Sequence, residues 1–288
     1  MTTELKTSRS RRFRFRLRTL LVLTAIVSAL FFVWTRYLEQ PVMRRIAVHR
    51  IFNTGGELTF DTPEFPNDMA IGEPGDAAFY NLKSVHARDN LATFEVARQL
   101  QSIPEVTELM LGDQVTDAGL SAIAHVRTHP SLNSLFLFDS QVTTGGMSQL
   151  TDVEWLRDIY LVRSAIDHRA IEGLGPIQAL RHLWIIDNNT AFGAKGSTNA
   201  NLITEPIAKQ LAKLQRIEFI SFQNVNLSDA SARHLHSLQN LRFLGLNDCR
   251  ISDEAVAELR AALPECKVEV ASNWATDEPS LDETDETE

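Results

Sequence analysis

The pattern L-x-x-L-x-L returns along this chain at nearly constant intervals, and this limits the fold more than any other feature. It is read at Leu82-Val85-Ala87, Val106-Leu109-Leu111, Leu132-Leu135-Leu137, Leu156-Ile159-Leu161, Leu180-Leu183-Ile185, Ile217-Ile220-Phe222 and Leu241-Leu244-Leu246, with a last partial copy at Leu263-Cys266-Val268. The starting positions are 24, 26, 24, 24, 37, 24 and 22 residues apart. A unit of that length cannot bury its own apolar face, so the copies must stack.

Within each unit the fourth and sixth positions alternate with the fifth, as in a short strand with one face buried. An apolar residue follows at position eleven, seen in Val142, Ile166, Leu227 and Ile251. Then comes a helix start, Thr116-Asp117, Ser228-Asp229 or Ser252-Asp253. There a hydroxyl can cap free backbone N–H groups, and an acid suits the helix dipole. Apolar residues at helical spacing complete the unit, Leu120, Ile123 and Ala124 in one copy and Ala255, Val256 and Leu259 in another. The expectation is an α/β solenoid of strand–helix units.

The stretches "LFLFDSQVTTGGM" (135–147), "ISFQNVNLSDASARHL" (220–235) and "LGLNDCRISDEAVAEL" (244–259) resemble the leucine-rich repeat family, in its ribonuclease-inhibitor-like strand–helix form. "MLGDQVTDAGLSAIA" (110–124) is similar but one residue shorter between strand and helix. The resemblance covers residues 82–270 and extends to bacterial membrane-anchored leucine-rich repeat proteins. It implies parallel strands on a concave face and helices on a convex one. It says little about function, because this fold serves many roles. Cys249 falls at position nine, where the family takes Asn or Cys, so the polar cluster Asn247-Asp248-Cys249-Arg250 reads as scaffold rather than as a reactive centre.

Two segments depart from the repeat. Residues 187–201, "DNNTAFGAKGSTNAN", form a loop-like insertion that either adds to a binding surface or is neutral. Residues 36–81 read as a linker and N-terminal cap, with a short helix ended by Gly55-Gly56, then a strand, and a turn-rich link over 64–76.

Charge divides the chain. Eleven of its 28 basic residues but only two of its 37 acidic ones, Glu4 and Glu39, lie in the first 50 positions. The rest carries 17 basic and 35 acidic side chains, a net charge of −18, which argues against nucleic-acid binding. A basic segment, residues 1–18, precedes an uncharged run, residues 19–35, "TLLVLTAIVSALFFVWT", at the short end of what spans a bilayer. The reading adopted is an uncleaved transmembrane anchor. A cleaved signal peptide, with Val27-Ser28-Ala29 as the small-residue site, is the main rival and would give a secreted protein, and a buried core helix is the third reading. Seven Lys/Arg before the run and four just after it place the N-terminus in the cytoplasm and the repeats outside. Residues 271–288 end in an acidic stretch, expected to be a disordered tail.

Function is expected on the open face of the strands. The fifth positions are His86, Met110, Phe136, Tyr160, Trp184, Ser221 and Gly245, of which Phe136, Tyr160 and Trp184 should stack as a ladder. Asp158, His182, Phe219 and Phe243 lie beside them at position three. The candidate binding residues are therefore Phe136, Tyr160, Trp184, His182, Asp158, Phe219 and Phe243, as exposed aromatics are enriched in recognition sites. The alternative is that the rings only pack on one another or under the insertion. Arg157, Arg163, Arg181, Asp139 and Asp187 would form a polar rim or pair among themselves.

Signals for chemistry are weak. The close pair His234 and His236 faces different sides of a helix, and neither cysteine has zinc-ligand spacing. No G-x-S-x-G, H-E-x-x-H or P-loop occurs. Cys249 and Cys266 are expected to be buried free thiols, a disulfide between them being the alternative. No metal, cofactor or catalytic residue is assigned. The sequence thus points to a non-catalytic protein- or ligand-binding module, held at the membrane by the N-terminal helix, with a protein or peptide partner. The rival readings are a structural, envelope-organising role and a hydrolase with an unrecognised site.

Overall fold

A computed structural model describes residues 17–33, 40–61, 70–71, 81–140, 142–164, 168–187 and 202–271. The chain divides into two compact units, Met1–Arg44 and Arg45–Glu288. The first contains helix α1 (Leu17–Val33), whose side chains from Val22 to Phe32 are exposed. Among the described residues no helix is long and apolar enough to cross a membrane.

Helix α2 (Gln40–Asn53) runs across the unit boundary. It ends as Gly55 takes a left-handed conformation (φ 86°), and the Gly56 N–H donates back to the Ile51 carbonyl at 3.0 Å. That is the stop glycine chemistry provides, because no Cβ opposes the positive φ. Strands β1 (Glu57–Asp61) and β2 (Ala70–Ile71) follow, then the repeats, each a strand and a helix. These are β3 (Asn81–Asp89) and α3 (Asn90–Gln99), β4 (Glu108–Gln114) and α4 (Asp117–Ala124), and β5 (Ser134–Phe138) and α5 (Thr144–Gln149). Next come β6 (Asp158–Val162) and α6 (His168–Glu172), then β7 (His182–Ile186), β8 (Leu202–Ile203) and α7 (Glu205–Leu211). The last are β9 (Phe219–Gln223), β10 (Asn226–Leu227) and α8 (Asp229–His234), β11 (Phe243–Asn247) and α9 (Asp253–Ala262), and β12 (Lys267–Ala271).

One ten-stranded sheet runs in the order β12-β11-β9-β7-β6-β5-β4-β3-β1-β2, and every pair from β3 to β12 is parallel. Its register is the repeat made physical. Val85, Leu109, Leu135, Ile159, Leu183, Ile220 and Leu244 align across the strands, as do Ala87, Leu111, Leu137, Leu161, Ile185, Phe222 and Leu246, and all are buried. Helices stand about 10 Å apart and strands about 4.8 Å apart, so a stack of such units curves with its strands on the inside. The 37-residue interval leaves the sheet undisturbed, since β9 pairs directly with β7 in phase. Residues 188–201 of the insertion lie outside the described residues, as do 272–288 of the acidic tail, residues 1–16, Trp34, Thr35, Ile166 and most of 62–80.

The last repeat needs correction. Leu244 pairs with Val268 and Leu246 with Val270, so this unit also follows at 24 residues, not 22. Val268 holds the fourth position and Val270 the sixth, while Cys266 precedes the strand instead of occupying its fourth position. A slip of two residues leaves strand alternation intact, so the apolar pattern alone could not detect it.

Position eight carries a feature the pattern does not display. Asp139, Arg163, Asn224 and Asp248 share it, with φ of 49°, 51°, 54° and 52°. Their N–H groups donate to Val162, Ile186, Asn247 and Ala271 carbonyls at 2.7–2.9 Å, extending the ladder beyond the strand. Asn and Asp tolerate this left-handed region, and Arg does so less readily. Arg163 is held there with its guanidinium on both Asp139 carboxylate oxygens, its Nε at 3.0 and 3.1 Å and its Nη2 at 2.5 Å.

The Asp of two cap dipeptides, Asp117 and Asp229, ties neighbouring repeats together. Asp117 accepts from the N–H and hydroxyl of Thr143 at 2.8 and 2.6 Å, and Asp229 accepts from those of Ser252 at 3.1 and 2.8 Å. In the first repeat Asn90 plays this part, accepting from the Thr116 N–H at 3.1 Å and donating to its hydroxyl at 3.0 Å. Thr116 therefore occupies the cap position of α4 without capping it through its side chain, unlike Thr143, Ser228 and Ser252. A Cβ at Gly146 would overlap the docked Asp117 carboxylate, which accounts for glycine there. Asp117→Ala is expected to cost about 1.5–3 kcal/mol, the net worth of hydrogen bonds to a charged group. Chemical unfolding of the two proteins measures it.

The 26-residue interval has its own brace. His129 accepts from the Leu132 N–H at Nδ1 (2.9 Å), and its Nε2–H donates to the Leu100 carbonyl (3.1 Å). Trp155 Nε1–H donates to the Val126 carbonyl at 2.7 Å and closes the same loop. Burial holds the His129 pKa below its ordinary 6.5, against opposing help from the backbone and Glu105. The neutral imidazole is the one that fits. Stability from this group is intact above pH 6.5, where both states are neutral, and falls as pH drops from 6.5 toward the lower folded-state value, because the unfolded chain takes up the proton first. Thermal melts at pH 7.5 and 5.5 should show a smaller acid-induced drop for His129→Gln than for the native protein.

Candidate binding face of the sheet

The fifth and third positions of the strands point away from the buried rows and line the inner face. Parallel in-register pairing puts Phe136 beside Tyr160 and Tyr160 beside Trp184. Their rings stack face to face, with centroids 3.9 and 4.1 Å apart and planes within 7° and 9°. The expected ladder is present.

Its continuation moves to another row. The next fifth positions are Ser221 and Gly245, and there the third positions supply the rings instead. Trp184 meets Phe219 at 4.7 Å with a 37° tilt, and Phe219 stacks on Phe243 at 4.6 Å and 7°. A Cβ at Gly245 would sit 3.1 Å from the Phe243 ring and 3.0 Å from Ser221 Oγ, so the absence of a side chain there makes room for the shifted row. Five rings thus form one diagonal strip across five strands, all half-buried. Phe138, at position seven, lies 6.1 Å from Phe136 and from His86. The composition of each position named the candidates, but only the register shows the strip crossing from one row to the other.

A polar chain runs beside the rings. His182 Nδ1 bonds Asp158 Oδ1 at 2.7 Å, and Ser134 Oγ donates to Asp158 Oδ2 at 3.0 Å. The His182 ring stands edge-on to Trp184 and Phe219, at 5.9 and 5.8 Å. With Nδ1 directed at the carboxylate, His182 has its Nε2 as a further hydrogen-bonding atom. Among the described residues the order is Ser–Asp–His, with no hydroxyl bonded to the far imidazole nitrogen, unlike the order in which a nucleophilic serine is activated. Burial pushes the Tyr160 hydroxyl up to about 12, with Asp158 and Glu108 adding to it, so it is a neutral phenol at physiological pH.

The rim residues mostly pair. Arg163 binds Asp139, Arg181 lies 3.5 Å from Glu218, and Lys83 lies 3.7 Å from Glu108. Arg157 is exposed, and Asp187 is buried, with its N–H on the Gln223 carbonyl.

Cys249 is half-buried, less enclosed than the repeat pattern suggests, because the final strand is the last element to shield it. Its thiol donates to the Phe222 carbonyl of the preceding repeat at 3.6 Å, as Ser164 Oγ, three repeats earlier, donates to the Leu137 carbonyl of the repeat before it at 3.0 Å. In these two repeats position nine holds a donor, a hydroxyl in one and the thiol in the other. Burial raises its pKa to about 11, which keeps it protonated and unreactive. Cys266 is buried, and both cysteines are free. Among the described residues no group of three or more His, Cys, Asp or Glu side chains is placed to hold a metal ion.

The repeat, the parallel register and the helical layer define a solenoid of strand–helix units, similar in form to leucine-rich repeats. No family model and no curated protein matches the chain. Among solved structures it is similar to an internalin C2 from Listeria monocytogenes strain 4b F2365, at 13% identity and a TM-score of 0.38, covering 82% of this chain and 88% of that one. The fold assignment rests on the repeat and the strand register rather than on this likeness.

Proposed function

We propose that the protein is a non-catalytic recognition module that binds an apolar protein or peptide segment across Phe136, Tyr160, Trp184, Phe219 and Phe243. The observation that carries this reading is the five-ring strip. Each inner ring has its faces against its neighbours, so the strip offers ring edges outward. Edges suit aliphatic and aromatic side chains better than the stacking of a sugar ring, which needs a free face. Tyr160 O–H, Trp184 Nε1–H and His182 Nε2 add hydrogen-bonding groups that can fix a bound segment in one register. Loss of the captured partner on combining Tyr160→Ala with Trp184→Ala tests the assignment.

The reading includes display outside the cytoplasm on a single N-terminal anchor. The uncharged run 19–35, the exposed apolar side chains of α1 and the preceding basic cluster support it. A reporter fused after Glu288 is expected to be active only outside the cytoplasm, and activity inside would overturn this placement.

A further inference from the structure

We propose that the outward face of α2, from Arg45 to Phe52, rests on an anionic lipid surface and orients the solenoid there. This rests on the anchored reading above. Ala47, Val48 and Ile51 form the buried stripe of the helix. The opposite side presents Arg45, Ile46, His49, Arg50 and Phe52 to solvent.

Two observations select lipid as the occupant. The large hydrophobic side chains exposed on the repeat unit, among the described residues, are Ile46 (41%), Phe52 (42%), Leu91 (66%), Phe94 (44%) and Val270 (47%). All but Val270 lie on α2 and α3, the helices that flank the antiparallel β1–β3 pair in sequence. Four of these five uncovered apolar groups thus fall on the first two helices of the repeat unit, in the part of it nearest the anchor in sequence. The second observation is charge. No acidic residue occurs between Glu39 and Glu57, whereas residues 51–288 carry a net −18, so α2 is a cationic stretch on an acidic body. Cationic and apolar side chains on one helix face match an interface of anionic headgroups over acyl chains. Arg45 follows the uncharged run by only ten residues, so the surface this helix meets is that of the bilayer holding the anchor.

The test uses the full chain with Cys249→Ser and Cys266→Ser and a polarity-sensitive fluorophore carried by Phe52→Cys. A second preparation carries it at Phe94→Cys, and a control at Ala257→Cys on the exposed side of α9. Each is reconstituted into nanodiscs of phosphatidylcholine alone or with phosphatidylglycerol. The expected result is emission at shorter wavelength in the anionic discs for the first two positions, with none for the control. Arg45→Glu with Arg50→Glu should abolish the shift at Phe52→Cys. Incorporation with unchanged emission in both lipids overturns the inference and leaves the anchor standing, as does a shift that survives the charge reversal or appears equally in the control. Failure to enter either disc overturns the anchored reading and this inference with it.

Discussion

Phe222→Ala is expected to lower the stability of the repeat unit by about 3–5 kcal/mol, the range for truncating a buried aromatic ring. Phe222 fills the sixth position of β9 and is fully enclosed. Its neighbours across the sheet are Ile185 and Leu246, both buried, and its carbonyl accepts the Cys249 thiol. Two features make the site unforgiving. The core is a single continuous row instead of a globule, so a void in one layer has only the adjacent layers to close it. Also, β9 is the first main-sheet strand after the 37-residue interval, where the chain must regain its phase. Equilibrium denaturation followed by circular dichroism measures the loss. A change under about 1 kcal/mol would mean that neighbouring rows refill the space, contrary to close packing of the stack.

Tyr160→Ala combined with Trp184→Ala is expected to weaken the partner by well over thirtyfold while leaving the fold intact. Aromatic anchors at the centre of an interface are each worth about 2 kcal/mol or more, and about 1.4 kcal/mol is tenfold in affinity. These side chains stand on the inner face, half-exposed, whereas the fourth- and sixth-position residues beneath them hold the sheet. Removing both rings splits the strip, leaving Phe136 on one side and Phe219 with Phe243 on the other. Unchanged binding, with the circular dichroism spectrum of the native protein, would remove the inner face from consideration.

Much of this architecture was legible because a solenoid repeats its instructions. Seven copies of one apolar pattern specify the period, the strands and the buried rows, and Ser228 and Ser252 mark their helix starts as capping chemistry requires. The ladder of Phe136, Tyr160 and Trp184 followed from position alone, since parallel register places equal positions side by side. What escaped is what depends on contacts between copies. Asp117 and Asp229 read as helix-dipole partners, yet each also holds the cap residue of the next repeat. The handover from Trp184 to Phe219 required knowing that Ser221 and Gly245 leave space for rings two positions earlier. The left-handed residues at position eight and the two-residue slip at Val268 were hidden for a simpler reason. Neither changes the alternation of apolar and polar side chains.

The central claim is that recognition belongs to the inner face of the strands and not to the helices. Photo-crosslinking residues introduced singly at Phe136, Phe243 and Ala257 in the membrane-held full chain test it most directly. The account predicts adducts to one common partner segment from Phe136 and Phe243, and none to it from Ala257 on α9. Adducts from Ala257 with none from either ring position would contradict it.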